Sequence, residues 1–144
     1  MIRKKFVTFF LGLFLVINTN VKSLENKILV KIEDQIITSL DINNEYDYLL
    51  SLNPYLKSSK KEDIIKLSKK SIIQEKIKKI EIEKNFNNPK IPQEILEQIL
   101  QSVYSRIGFK NLSDFKEYLI ISNIDFENVK NKIEIEALWN ELIL

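Results

Sequence analysis

The sequence predicts a mainly α-helical domain that opens on a short N-terminal β-hairpin and continues through about five helices. Three observations carry that prediction. There are only two Gly and three Pro in 144 residues, too little turn chemistry for a many-stranded sandwich or barrel. From Ile42 to Ala137, apolar residues recur mostly at helical spacing. One stretch breaks the pattern: "ILVKIEDQIITSLDI", Ile28 to Ile42, sets two β-branched runs around Glu33, Asp34 and Gln35, and reads as strand, turn, strand.

The first 23 residues read as an address. "MIRKK" supplies positive charge, "FVTFFLGLFLVI" supplies an apolar run, and "NTNVKS" ends polar and small, the three-part layout of a secretory signal. The run is short of the roughly 20 apolar residues that span a bilayer. Val21 and Ser23 suit the small positions before a cut, which places cleavage between Ser23 and Leu24 and leaves residues 24–144 as one domain. No Cys follows, so the segment is not a lipoprotein signal. An uncleaved anchor, with Lys22 close behind the apolar run, is the competing reading.

Charge depends on that cut. The whole chain carries 22 basic and 20 acidic residues; residues 1–23 hold Arg3, Lys4, Lys5, Lys22 and no acid, so 18 basic residues remain against 20 acidic. A net charge near −2 argues against a nucleic-acid partner, which calls for a basic face. Hydrophobic residues make up 44% and charged residues 29%, enough for a buried core. The absence of Cys and His removes Cys- or His-based nucleophilic catalysis, the usual zinc sites and any disulfide framework. No cofactor and no metal is expected. Ile, Lys and Asn are used so heavily that a single Lys or Asn carries little weight.

After the hairpin, Thr38 or Ser39 can cap a helix, with Asp41 in capping-box position behind Thr38. Ile42, Tyr46, Leu49 and Leu50 mark its apolar positions, and "NPYLKSSK" from Asn53 to Lys60 ends it. The next helix spans about Lys61 to Asn85, with Ile65, Ile72, Ile73, Ile77 and Ile80 as its stripe; it is the longest and the expected spine. Pro92 opens another, in which Ile91, Ile95, Ile99, Val103 and Ile107 recur every four residues, and Gly108 closes it. Leu112, Phe115 and Leu119 mark a short helix capped at Ser113; "SNID" then turns the chain into a last one with Phe126, Val129, Ile133 and Ala137 inward. The apolar finish at Leu142, Ile143 and Leu144 reads as a helix cut midway, so the chain is expected to continue in its intact form.

Catalytic patterns are weak. Glu81 with Glu83, and Glu134 with Glu136, sit two apart on helices and point to different faces. Gly-rich phosphate loops, nucleophile elbows and EF-hand patterns are absent from the sequence. The helices around Ser122 to Asp125 have the outline of a helix-turn-helix, but the acidic, exported chain favours an ordinary helical hairpin. Among the aromatics, Phe115 and Phe126 fall on inward stripes. Tyr104, Phe109 and Tyr118 lie off them or at their edge, and are the candidate exposed apolar patch.

Taken in order, these pieces resemble the N-terminal domain of the SurA family of periplasmic chaperones and parvulin-type peptidyl-prolyl isomerases. "ILVKIEDQIITSLDI" looks like the family's opening hairpin and capped helix, and "SIIQEKIKKIEIEK" (Ser71 to Lys84) is similar to its long helix. "IPQEILEQIL" (Ile91 to Leu100) and "FKEYLIISNIDFENVKNKIE" (Phe115 to Glu134) follow at the expected separations. Asn123 stands where the family often has Gly, and tolerates the same left-handed turn.

The resemblance implies a trigger-factor/SurA peptide-binding type of fold and a hairpin whose edge meets a returning C-terminal segment, so that edge is expected to be unpaired and sticky here. It implies an ATP-independent chaperone domain in the periplasm that binds unfolded outer-membrane proteins or aromatic-rich peptides through Tyr104, Phe109 and Tyr118, without stable membrane insertion after signal cleavage. The parvulin domains of the family are absent, so no catalytic residue is expected. The alternatives are the non-catalytic N-terminal part of a peptidyl-prolyl isomerase and a membrane-anchored periplasmic interaction protein.

Overall fold

The computed structural model describes residues 26–144, so the expected signal and its cut between Ser23 and Leu24 lie outside the described residues. The order is β1 (Ile28–Ile32), β2 (Gln35–Thr38), α1 (Ser39–Leu52), a 3-10 turn (Pro54–Ser58), α2 (Lys61–Asn85), α3 (Gln93–Arg106), α4 (Leu112–Ile121) and α5 (Phe126–Leu142). Among the described residues the fold is mainly helical, a two-stranded hairpin followed by five α-helices.

β1 and β2 pair antiparallel, with Val30 opposite Ile37 and Ile32 opposite Gln35, and an irregularity between Ile28 and Val30. The turn is tighter than expected, because Glu33 takes a positive φ of 51° and lets Gln35 begin the second strand. Val30, Ile32 and Ile37 face Ile42, Ile72 and Ile73, which docks the hairpin on α1 and α2. The opposite face carries exposed Ile28, Leu29 and Ile36. No third strand joins the sheet among the described residues.

Thr38 caps α1 with both halves of the capping box: its Oγ1 accepts from the Asp41 amide at 3.3 Å, and its own amide donates to Asp41 Oδ2 at 2.7 Å. α2, at 25 residues, is the spine and packs against α1, α5 and β2. Its buried face matches the expected stripe at Ile72 and Ile80, with Ile73 half-buried beside them, and departs from it elsewhere. Ile64, Ser68 and Ile72 are buried at four-residue steps, followed by Ile80 and Ile82, while Ile65 and Ile77 are exposed. Ser68 is fully buried in this seam, its hydroxyl satisfied by donating back to the Ile64 carbonyl at 2.8 Å.

α3 departs in the same way. A strict four-residue step overshoots the 3.6-residue turn by about 40° each time, so the run Ile91, Ile95, Ile99, Val103, Ile107 winds around the helix. The fully buried positions are Leu96 and Leu100; Ile99, Val103 and Ile107 stay half-buried against the main core, whereas Ile95 is 46% exposed. α4 is capped by Asn111 rather than Ser113, its side chain accepting from the Asp114 amide at 2.9 Å. Two helix ends close alike. Phe109 N–H reaches the Tyr104 carbonyl and Gly108 N–H that of Ser105, both at 3.0 Å; Ile124 N–H reaches Leu119 at 2.8 Å and Asn123 N–H reaches Ile120 at 3.0 Å. These are Schellman motifs with Gly108 (φ 99°) and Asn123 (φ 56°) at the left-handed position.

The main core gathers Leu52, Leu96, Leu100, Phe115, Leu119 and Val129, with Ile124 and Ile133. It is separate from the smaller cluster beneath the hairpin. On the inward side of α1, Ile42 belongs to the small cluster and Leu52 to the large one; Glu45 lies between them in sequence.

Candidate functional site

Two regions stand out. The first is the aromatic cluster. Tyr104, Phe109 and Tyr118 are half-buried against the main core rather than standing as an exposed patch. Ring centroids lie 6.1 Å apart for Tyr104 and Phe115, 6.0 Å for Phe109 and Phe115, and 5.0 Å for Phe109 and Tyr118. The Tyr118 hydroxyl donates to the Ser51 carbonyl at 2.9 Å, tying α4 to the end of α1. Phe109 and Tyr118 thus serve packing. Tyr104 also lines an open cleft of about 630 Å³ formed by α3, α4 and α5. Leu100, Leu112 and Phe126 share that lining, with Glu94, Glu97, Gln98, Lys116 and Lys130 around them. Lys116 Nζ sits 4.4 Å from the Phe126 ring centroid, a cation held over an aromatic face.

The second region was not anticipated. Where α1, α2 and α5 meet, Lys132 donates to Glu45 Oε2 at 2.7 Å and also to Glu75 Oε2. Ser71 Oγ donates to Glu45 Oε1 at 2.7 Å, so both oxygens of that carboxylate are held. Glu45 is only 2% exposed and Lys132 8%. The ammonium lies 4.9 Å from the Tyr48 ring centroid. Burial alone pulls the Lys132 pKa down, but the carboxylates of Glu45 and Glu75 outweigh it and leave the value above the ordinary lysine range. The Tyr48 hydroxyl is pushed well above the usual tyrosine value, first by burial and then by the negative charges of Glu45, Glu75 and Glu136.

This cluster opens into a cleft of about 430 Å³. Its outer part holds Lys78, whose ammonium donates to both Glu136 carboxylate oxygens at 2.6 Å and lies 6.0 Å from the Trp139 ring centroid. Ile99, Val103, Ile133 and Ala137 also line the cleft. Glu81 and Glu134, members of the carboxylate pairs considered from the sequence, do not line this cleft; Glu81 pairs with exposed Lys84 at 3.2 Å. Among the described residues, no three His, Cys, Asp or Glu side chains gather as a metal-ligand set.

Glu45, Tyr48, Glu75 and Lys132 are absent from the sequence reading because apolar periodicity alone assigns no inward role to a charged or polar side chain. A signal was present. Glu45 falls three residues after Ile42 and four before Leu49, and Lys132 lies between Val129 and Ile133, so each charge stands inside an apolar stripe.

No protein-family model matches the chain, and no curated protein and no solved structure matches it either. Fold and site together define a class: a mainly helical domain opened by a two-stranded hairpin, with a buried charge cluster at a three-helix junction.

Proposed function

We propose that this chain is an exported, ATP-independent holding chaperone of the SurA N-terminal type, which captures extended, aromatic-rich segments of unfolded outer-membrane proteins in the periplasm. The observation that carries the reading is the α3–α4–α5 cleft. It is open, long enough at about 630 Å³ for several side chains, and combines Tyr104, Leu112 and Phe126 with a rim of Glu, Gln and Lys. A few apolar and aromatic side chains set among charged and amide groups of both signs suit weak capture of many different segments, since contact area supplies affinity and no single hydrogen-bond pattern demands one partner. The sequence order supports it as well: a signal-like start, a hairpin, then helices ending in an acidic body.

Exposed aliphatic side chains at the end of α4 extend the apolar surface available to clients, with Ile120 76% and Ile121 77% exposed. Ordering an unfolded client opposes binding, so each complex is weak and reversible. The test is to dilute a urea-unfolded outer-membrane β-barrel protein into buffer with and without the chain and follow light scattering. Suppressed scattering without ATP is the expected result. Undiminished scattering at large molar excess overturns the proposal.

A further inference from the structure

The buried charge cluster is unused by the holding reading, and its charges do not balance. Glu45 and Glu75 share one ammonium, that of Lys132, so the group carries one formal negative charge at the junction of α1, α2 and α5. A buried excess charge is unfavourable unless something opposite meets it. The next charges along the cleft are Lys78 and Glu136, which neutralise each other. All five charged groups line the same cleft of about 430 Å³, so the cleft as a whole is one negative charge in excess. Tyr48, also in the lining, feels the same field from three carboxylates, offset in part by the positive charge of Arg106, which lies outside the lining.

The remaining lining joins polar Ser71, Gln74 and Asn140 to an aliphatic side. Ile99 and Val103 come from α3, and Ile133 and Ala137 from α5. A cleft of this volume falls within the range of small-ligand sites, which combine apolar lining with a few placed polar groups. Its complement is a body with one positive charge and a short aliphatic stem. Glu75 offers the point of contact, since its side chain keeps 18% exposure while Glu45 is sealed.

We propose that the cleft between α1, α2, α3 and α5 binds a primary ammonium on an aliphatic stem, the head entering beside Glu75 and Glu136 and the stem lying on Val103 and Ala137. The ligand shares its chemistry with a lysine side chain and with a free alkylamine. The bound ammonium supplies the second positive charge that Glu45 and Glu75 lack. This site is distinct from the α3–α4–α5 cleft and does not rest on the holding function.

The experiment is a titration of the purified chain with n-butylammonium chloride, read by amide NMR shifts and by the fluorescence of Trp139, the single tryptophan. 1-Pentanol serves as the uncharged isostere, and lysine blocked at both backbone ends as the second ammonium source. Saturable shifts at Val103 and Ala137 with either ammonium, and none with pentanol, are expected; the tighter of the two names the source. Glu75→Gln balances the cluster while keeping Lys132 against Glu45, and is expected to weaken binding about tenfold or more. Ala137→Leu fills the aliphatic side with every charge in place and is expected to abolish binding, so a poorly folded Glu75 variant leaves the test intact. Equal responses to ammonium and pentanol, a linear response without saturation, or unchanged binding in Ala137→Leu overturns the proposal.

Discussion

Lys132 of α5 and Glu45 of α1 meet at 2.7 Å in the interior, joining the last helix to the first. Removing one partner of a buried pair leaves the other charge uncompensated, at a cost of roughly 3–5 kcal/mol. Lys132→Met is therefore expected to lower stability by that order in urea denaturation. The combined change Glu45→Leu, Glu75→Leu, Lys132→Met is expected to recover most of the loss, because an apolar junction needs no ion pairing. A single variant as stable as the parent would show that the junction does not depend on this pairing.

Alkaline pH attacks the same junction. Lys132 and Tyr48 both have pKa values raised by folding, the first by a balance of burial against the carboxylates of Glu45 and Glu75, the second by burial and then carboxylate charge. In each case the folded chain holds a proton that the unfolded chain releases earlier. The resulting stability is fully present below the unfolded values, about 10 for both side chains, and is lost as pH rises through the folded values. The thermal midpoint is expected to fall steeply above about pH 10. Tyr48→Phe removes its share, so its curve should fall less steeply; parallel curves would refute the assignment to Tyr48.

How much of this was legible in the sequence follows from what each residue's neighbours could reveal. Thr38 and Asp41 make a local capping box, and Asn123 a local left-handed turn, so both were readable from adjacent residues. The face that α2 buries was legible in part, at Ile72 and Ile80; only the packing of α1 and α5 selects Ile64 and Ile82 over Ile65 and Ile77. The ion cluster was least legible. Glu45, Glu75 and Lys132 come from three helices; Glu45 and Lys132 are marked only by standing inside apolar stripes, and that they meet depends on how the helices pack. The aromatic set was half legible: Tyr104, Phe109 and Tyr118 were singled out, but their contacts with Phe115 and Ser51 depend on how α3 and α4 fold against α1.

Gly108 and Asn123 occupy matching places at the ends of α3 and α4 and should respond oppositely to substitution. A Cβ added to Gly108 meets nothing within 4 Å, so the cost of Gly108→Ala is conformational, about 1 kcal/mol or somewhat more at φ 99°. Asn123→Gly relieves the mild strain of a side chain at φ 56° and is expected to leave stability equal or slightly higher. Paired thermal melts check this. A neutral Gly108→Ala would mean that α3 can end without its left-handed residue.

Tyr118 and Tyr104 separate packing from client capture. Tyr118→Phe strips the hydroxyl from the Ser51 carbonyl and leaves the ring on Phe109, so a loss of about 1 kcal/mol is expected in urea denaturation. Because Tyr118 does not line the α3–α4–α5 cleft, suppression of client aggregation should be unchanged wherever the variant remains folded. Tyr104 packs on Phe115 and lines the cleft as well, so Tyr104→Ser removes ring area from both. Its suppression of scattering should drop further than that of a variant with matched loss of stability elsewhere, Leu52→Val in the core being the control. If Tyr104→Ser and Leu52→Val lose suppression equally, the ring acts through the fold alone. Clients would then be held on another apolar surface, with Ile120 and Ile121 at the end of α4 the next to replace, by serine.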